Sequence, residues 1–233
     1  MPNHVINLLS FDGNESEIKK MLTAIRPDKT DDESPNIDFN KIIPMPEELN
    51  IESSTSLDKG LEAYAEFIFN YLNLGRWKRT CLDCSLQTLE SEFCESKGIS
   101  EKEWELGKKA LINLVKYGAQ DWYDWSCEHW GTKWNAYNNG YLGACSSEGG
   151  NIVFLTAWAE PEPVILELSK QYPDIVITHS FANEDIGAGC GQRVYSKGAF
   201  VYEQIPEGEE AIDFACDLWG YDATEYKEEV GLL

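Results

Sequence analysis

The chain has 233 residues, of which 42% are hydrophobic and 12% aromatic, enough to bury one large domain or one domain with a sizeable insertion. Its 19 basic and 41 acidic side chains leave a formal charge of −22, which opposes general binding to nucleic acid or an anionic membrane and favours a basic partner surface. No run approaches the roughly 20 apolar residues of a membrane span. The first residues carry no leader pattern and the seven cysteines are odd in number, so a reducing cytoplasm with free thiols is expected.

From His4 the sequence His-Val-Ile-Asn-Leu-Leu-Ser-Phe predicts a strand ending at the turn signal Asp12-Gly13. Asn14 and Glu17 then resemble a capping pair, and Ile18, Met21, Leu22 and Ile25 follow at helical spacing until Pro27. Residues 28–35 read as an acidic loop. Ile37 and Phe39 alternate with Asp38 and Asn40, but Pro44 and Pro46 confine any strand there to its end or to a sheet edge.

The period changes at Leu57. Leu61, Tyr64, Ala65, Ile68 and Leu72 share a helix face, Leu86, Leu89 and Phe93 predict a second helix ending near Gly98, and Ser100 with Glu103 forms a capping box opening a third from Glu101 to about Tyr117. Residues 57–117 are therefore expected to be a helical insertion between 1–56 and 118–233. Half of the eight tryptophans, Trp122, Trp125, Trp130 and Trp134, then fall within 118–137. Their apolar bulk, together with Trp158, is expected to anchor the packing of the β-rich part.

Residues 151–160 are apolar on both faces, as in a central strand. Pro161 and Pro163 open a helix holding Val164, Ile165 and Leu168. An alternating strand spans 174–181. Residues 192–195 and 199–204 flank Ser196-Lys197-Gly198 as a hairpin, and 207–219 form a last helix. Strands separated by helices predict an α+β fold, a ferredoxin-like antiparallel sheet with helices on one face and an inserted helical subdomain.

No motif commits the chain to a reaction. Cys81 and Cys84 form a C-x-x-C pair, but a structural zinc needs a second knuckle and Cys127-x-His129 is an irregular one. No metal or cofactor is expected. Gly187-Ala188-Gly189-Cys190-Gly191 lacks the third glycine of a dinucleotide fingerprint and sits between strands, so it reads as a hairpin or bulge. His4, His129 and His179 are candidate bases without an accompanying motif, and Asp121 with Asp124 a carboxylate pair. Arg76-Trp77-Lys78-Arg79 is the one tight basic cluster, too little for a nucleic-acid binder at this net charge. Lys133, between Trp130 and Trp134, either holds an anion or stacks its stem on the rings.

Three separated groups of residues resemble one family: Met1-Pro2-Asn3-His4-Val5; Ile37-Asp38-Phe39-Asn40-Lys41-Ile42-Ile43-Pro44-Met45-Pro46-Glu47-Glu48-Leu49; and Trp122-Tyr123-Asp124-Trp125 with Trp130-Gly131-Thr132-Lys133-Trp134-Asn135. Thr156-Ala157-Trp158 before the proline-led helix fits the same pattern. The sequence is similar to the YubB-type ferredoxin-like family of phages and plasmids. The resemblance implies a ferredoxin-like sandwich in a mobile-element accessory protein, with no catalytic set to carry over. His4 and His129 stand where the pattern has Trp and Asn.

Charge, motifs and resemblance together predict a non-enzymatic protein of the host cytoplasm that binds a host protein with a basic surface, for example the nucleic-acid channel of a defence nuclease. Residues 203–229, with ten acidic side chains and one lysine, are the expected contact, through Glu207, Glu209, Glu210, Asp213 and Asp217, and residues 28–52 a second. The alternative is a nucleotide or small-ligand protein, or enzyme, with a pocket at the tryptophan-rich motif formed by Asp124, His129, Lys133 and Asn135.

Overall fold

The computed structural model describes residues 3–28, 35–73, 85–138 and 150–232. The chain divides into two compact units, 1–44 with 126–233, and 45–125. The C-x-x-C pair, the basic cluster at 76–79 and the acidic residues 31–33 lie outside the described residues.

The first unit is built on a five-stranded antiparallel sheet in the order β2-β1-β3-β4-β5. Its strands are β1 (His4–Asp12), β2 (Ile152–Ala157), β3 (Val176–Asn183), β4 (Cys190–Ser196) and β5 (Ala199–Gln204). Both β2 and β3 run antiparallel to β1, which lies between them, so they are parallel to each other. Helix α6 (Glu162–Gln171) joins them, giving the split β-α-β unit of the ferredoxin-like fold. Beyond β2 the described residues continue the sheet as a bridge between Tyr137 and Leu155. On the far side β4 and β5 extend it.

Register sorts the side chains onto two faces. Asn7 pairs with Phe154 and Phe181, while Ile6 pairs with Leu155 and Ala182. The Phe154 face receives Phe39, whose ring meets Phe154 and Trp130 edge-on at 5.9 and 5.8 Å. Phe39 belongs to a 3₁₀ turn, Phe39–Lys41, which packs against α1 (Glu15–Ile25), and α6 reaches the same segment through Gln171 Nε2, which donates to the Ile42 carbonyl. The opposite face is covered by α7 (Glu209–Trp219), whose Ala211 and Ala215 pack on Ile6, Leu155, Ala182 and Cys190. The expectation of helices on one face thus holds for α1 and α6, and α7 closes the other side.

The edge strand expected over 37–46 is absent. Asp38 accepts from the Asn40 N–H and Asn135 Oδ1 from the Phe39 N–H, so side chains take the donors that a neighbouring strand would need. The β4–β5 hairpin turns at Lys197 (φ 53°) and Gly198 (φ 70°), two successive left-handed residues as in a type I′ turn. Gly187 and Gly189 serve the β3–β4 turn with φ of 87° and 58°. After α7, Asp222 caps a short helix, α8 (Ala223–Glu229), that the acidic composition of the segment concealed.

The second unit is helical: α2 (Thr55–Asn73), α3 (Leu86–Lys97) and α4 (Glu101–Tyr117). The predicted capping box is present, with Ser100 Oγ accepting from the Glu103 N–H and the Glu103 carboxylate from the Ser100 N–H. Helices α2 and α4 approach backbone to backbone at Gly60 and Gly107; a Cβ on Gly60 would sit 1.8 Å from the Glu103 carbonyl oxygen. Beside this crossing Ala63, Phe67 and Trp104 form a core with Leu89 and Phe93 of α3 around it. A last helix, α5 (Trp122–His129), begins in this unit with Asp121 accepting from the Tyr123 and Asp124 N–H groups, and ends in the first.

Candidate functional site

Within the tryptophan-rich motif, Trp122, Asp124 and Trp125 belong to the helical unit, whereas His129, Trp130, Lys133, Trp134 and Asn135 belong to the sheet-bearing unit. Trp125 and Trp130 are buried, and the Trp130 indole N–H donates to the Ile43 carbonyl. Trp122 and Trp134 are half-buried. Trp158 differs from the expected anchor role, being 43% exposed with a left-handed φ of 75°, which is rare for a bulky residue. Its N–H donates to the Asn3 carbonyl as the chain leaves β2, and this turn throws the indole outward. Cys127 and His129, the irregular knuckle, lie on helix α5, where residues two apart point to different sides.

The outward indole meets a cation. Lys133 Nζ sits 4.7 Å from the Trp134 ring centroid and 4.8 Å from that of Trp158, a lysine clasped by two aromatic faces. Nearby, His4 Nδ1 is hydrogen-bonded to the Tyr137 hydroxyl, which lies 3.3 Å from the Thr156 carbonyl. Burial, with the charge of Glu184, pushes the Tyr137 phenol up to about 12, so it stays protonated. Asn135 is not available to a ligand in the way expected. Its amide nitrogen donates to Asp38 at 2.7 Å and its oxygen accepts from two backbone N–H groups.

Inside the sheet lies a polar group that no motif announced. Asn7, fully buried, donates to the Val5 carbonyl and to Thr156 Oγ1, so its oxygen accepts from His179 Nε2 at 2.9 Å. His179 Nδ1 has no partner among the described residues. Burial, with Arg193 beside it, pushes the imidazole down to about 3, so it is neutral and sealed from any substrate. Across the strand pair Arg193 binds three carboxylates, Glu160, Glu162 and Glu203, each at 2.8 Å. Burial works against that guanidinium, but the hydrogen bond it donates to Glu203 and the charge of the other carboxylates hold its pKa above the usual value.

The acidic residues cluster on α7 as its amphipathic period requires. Ala211, Ala215 and Cys216 face the sheet, while Glu209, Glu210, Asp213 and Asp217 are exposed, with Glu207 just ahead of the helix. Lys227 of α8, nearly buried, lies 2.6 Å from Asp213 and 3.6 Å from Glu209. Glu207, Glu210 and Asp217 have no ion pair among the described residues. Also among the described residues, no three His, Cys, Asp or Glu side chains are grouped as a metal ion would need.

Residues 129–229 match the family model of the ferredoxin-like domain in Api92-like protein. The match runs from the end of α5 through the last four strands to α8, so the sheet-bearing unit carries a ferredoxin-like domain. The crystal structure of a protein api92 from Yersinia pseudotuberculosis is similar over 89% of this chain and 99% of its own, at 10% identity and a TM-score of 0.42. No curated protein matches the chain.

Proposed function

We propose that the protein is a non-enzymatic accessory protein of a phage or plasmid that binds a host protein through a carboxylate-rich surface. The class of target is a basic channel such as that of a defence nuclease. The observation that carries the reading is the outer face of α7, where Glu210, Asp213 and Asp217 are exposed one turn apart beside Glu207, in a chain of net charge −22. Carboxylates spaced along a rigid helix can stand in for phosphates against Lys and Arg side chains, and steer association at low salt. The resemblance of its motifs to the YubB-type family supports the mobile-element setting.

Affinity capture from host lysate tests this. The wild type should retain a basic protein at low salt and release it as ionic strength rises. Retention of no basic protein, or a complex indifferent to salt, contradicts it.

A second reading is favoured by the clasp of Trp134, Lys133 and Trp158, whose strained backbone at Trp158 presents an indole and an ammonium together. Such a pair suits a stacked, negatively charged ligand such as a nucleotide. A nucleotide that raises the melting temperature of the wild type but not of Lys133→Ala would establish it.

A further inference from the structure

The outermost strand carries apolar side chains into solvent. All six residues of β5 are exposed, and Phe200, Val201, Tyr202 and the following Ile205 are each about half exposed. Register places Phe200 and Glu203 on the face of Tyr195 and Arg193, and Tyr202 on the other, so side chains on both faces of the strand reach solvent. Its outer backbone edge takes no hydrogen bond from any described residue. Open edges are commonly guarded by lysine, proline or a bulge. Residues 199–204 hold no lysine or proline, and the register shift leaves one bulge, at Val201, which bends the edge against flat pairing with a second long strand.

The charge around this edge is unbalanced. Glu203 on β5, with Glu160 and Glu162 beside it, places three carboxylates on one guanidinium, a local surplus of two negative charges. Glu207, Glu209 and Glu210 follow within six residues of the strand's end. A second copy of this chain would bring the same acids to the same edge, so self-pairing is opposed by like charge.

We propose that β5 is a docking edge for a short, extended segment of the basic partner. The segment adds as a further strand, its apolar side chains against Phe200 and Tyr202 and its Lys or Arg residues toward the Glu203 and Glu207 carboxylates. Backbone hydrogen bonds supply affinity and the flanking acids supply charge preference. This rests on the acidic-binder reading and specifies the contact.

The probe is a blocked heptapeptide alternating lysine and valine, compared with its glutamate–valine counterpart and with a lysine–valine form N-methylated at every second residue. The expected result is one-to-one binding of the lysine peptide alone, weakened about tenfold or more by Tyr202→Lys with the melting temperature unchanged. Equal binding of the N-methylated peptide, sensitive to salt and to Glu210→Lys, overturns strand addition while leaving the acidic-binder reading intact. So does binding unaffected by Tyr202→Lys. A wild-type dimer abolished by Tyr202→Lys overturns the basic-partner assignment in favour of a second copy. No binding of any peptide overturns the proposal, and lysate capture then judges the broader reading separately.

Discussion

Strands β3 and β5 belong to one sheet and have opposite surroundings. In β3 only Val176, Thr178 and Asn183 escape burial, and its histidine is fully enclosed; in β5 every residue is exposed. The difference shows where this fold spends its polar groups. At the centre Asn7 ties Thr156 and His179 together through hydrogen bonds, which specifies packing. At the margin, apolar rings face solvent beside three carboxylates that share one guanidinium, which is the composition of a surface made to be covered.

The largest expected effect lies in the centre. Phe181→Ala removes a buried ring that packs with His179 and Arg193 and should cost about 3–5 kcal/mol in urea unfolding. A loss below about 1 kcal/mol would mean that the sheet's face is not packed as described.

A smaller, pH-dependent effect belongs to His179. Its pKa is near 3 in the folded protein and about 6.5 when unfolded, so the unfolded chain takes up a proton that the native state refuses. Stability is full above pH 6.5 and falls as pH drops toward 3, by about 2 kcal/mol at pH 5. Glu48, held down to about 2 by Lys116, and Glu103, held down to about 2 by the Ser100 backbone and side chain, add their own loss only as pH falls below about 4.5, outside the comparison of pH 7 with pH 5. His179→Gln keeps a donor for Asn7 and should flatten the change between pH 7 and pH 5. An equal slope in the variant would place the pH sensitivity elsewhere.

The smallest effects lie at the edge. Phe200→Ala should change stability by less than about 1 kcal/mol, because its ring is already half in water. Asp213→Asn removes a contact with Lys227 that is exposed on one side, and should cost about 1 kcal/mol or less. Should Phe200→Ala cost as much as Phe181→Ala, β5 would be part of the core and not a docking edge.

Much of the fold is legible in the sequence, for local reasons. Asn14, Ser100 and Gly98 announce helix ends through their own side chain or conformational freedom, and the observed helices start and stop there. Strands β1 and β2 follow from short runs rich in apolar residues. Residues 37–46 misled because the alternation of Ile37 and Phe39 is that of a strand, while the decisive partner, Asn135, lies 96 positions from Phe39. Trp158 was unreadable as an exposed residue, since its left-handed backbone follows from the Asn3 contact and not from its type. The Arg193 cluster was equally hidden, because Glu160, Glu162 and Glu203 meet only when β4, β5 and the start of α6 assemble. The acidic row of α7 was visible from spacing alone.

The most direct test reverses charge on that row. Glu210→Lys with Asp217→Lys leaves the buried face of α7 untouched, so melting temperature and circular dichroism should match the wild type. In side-by-side capture from host lysate at low salt, the wild type should enrich a basic protein and the reversed form should retain about tenfold less of it. The same basic protein retained equally by both would contradict an acidic working surface on α7.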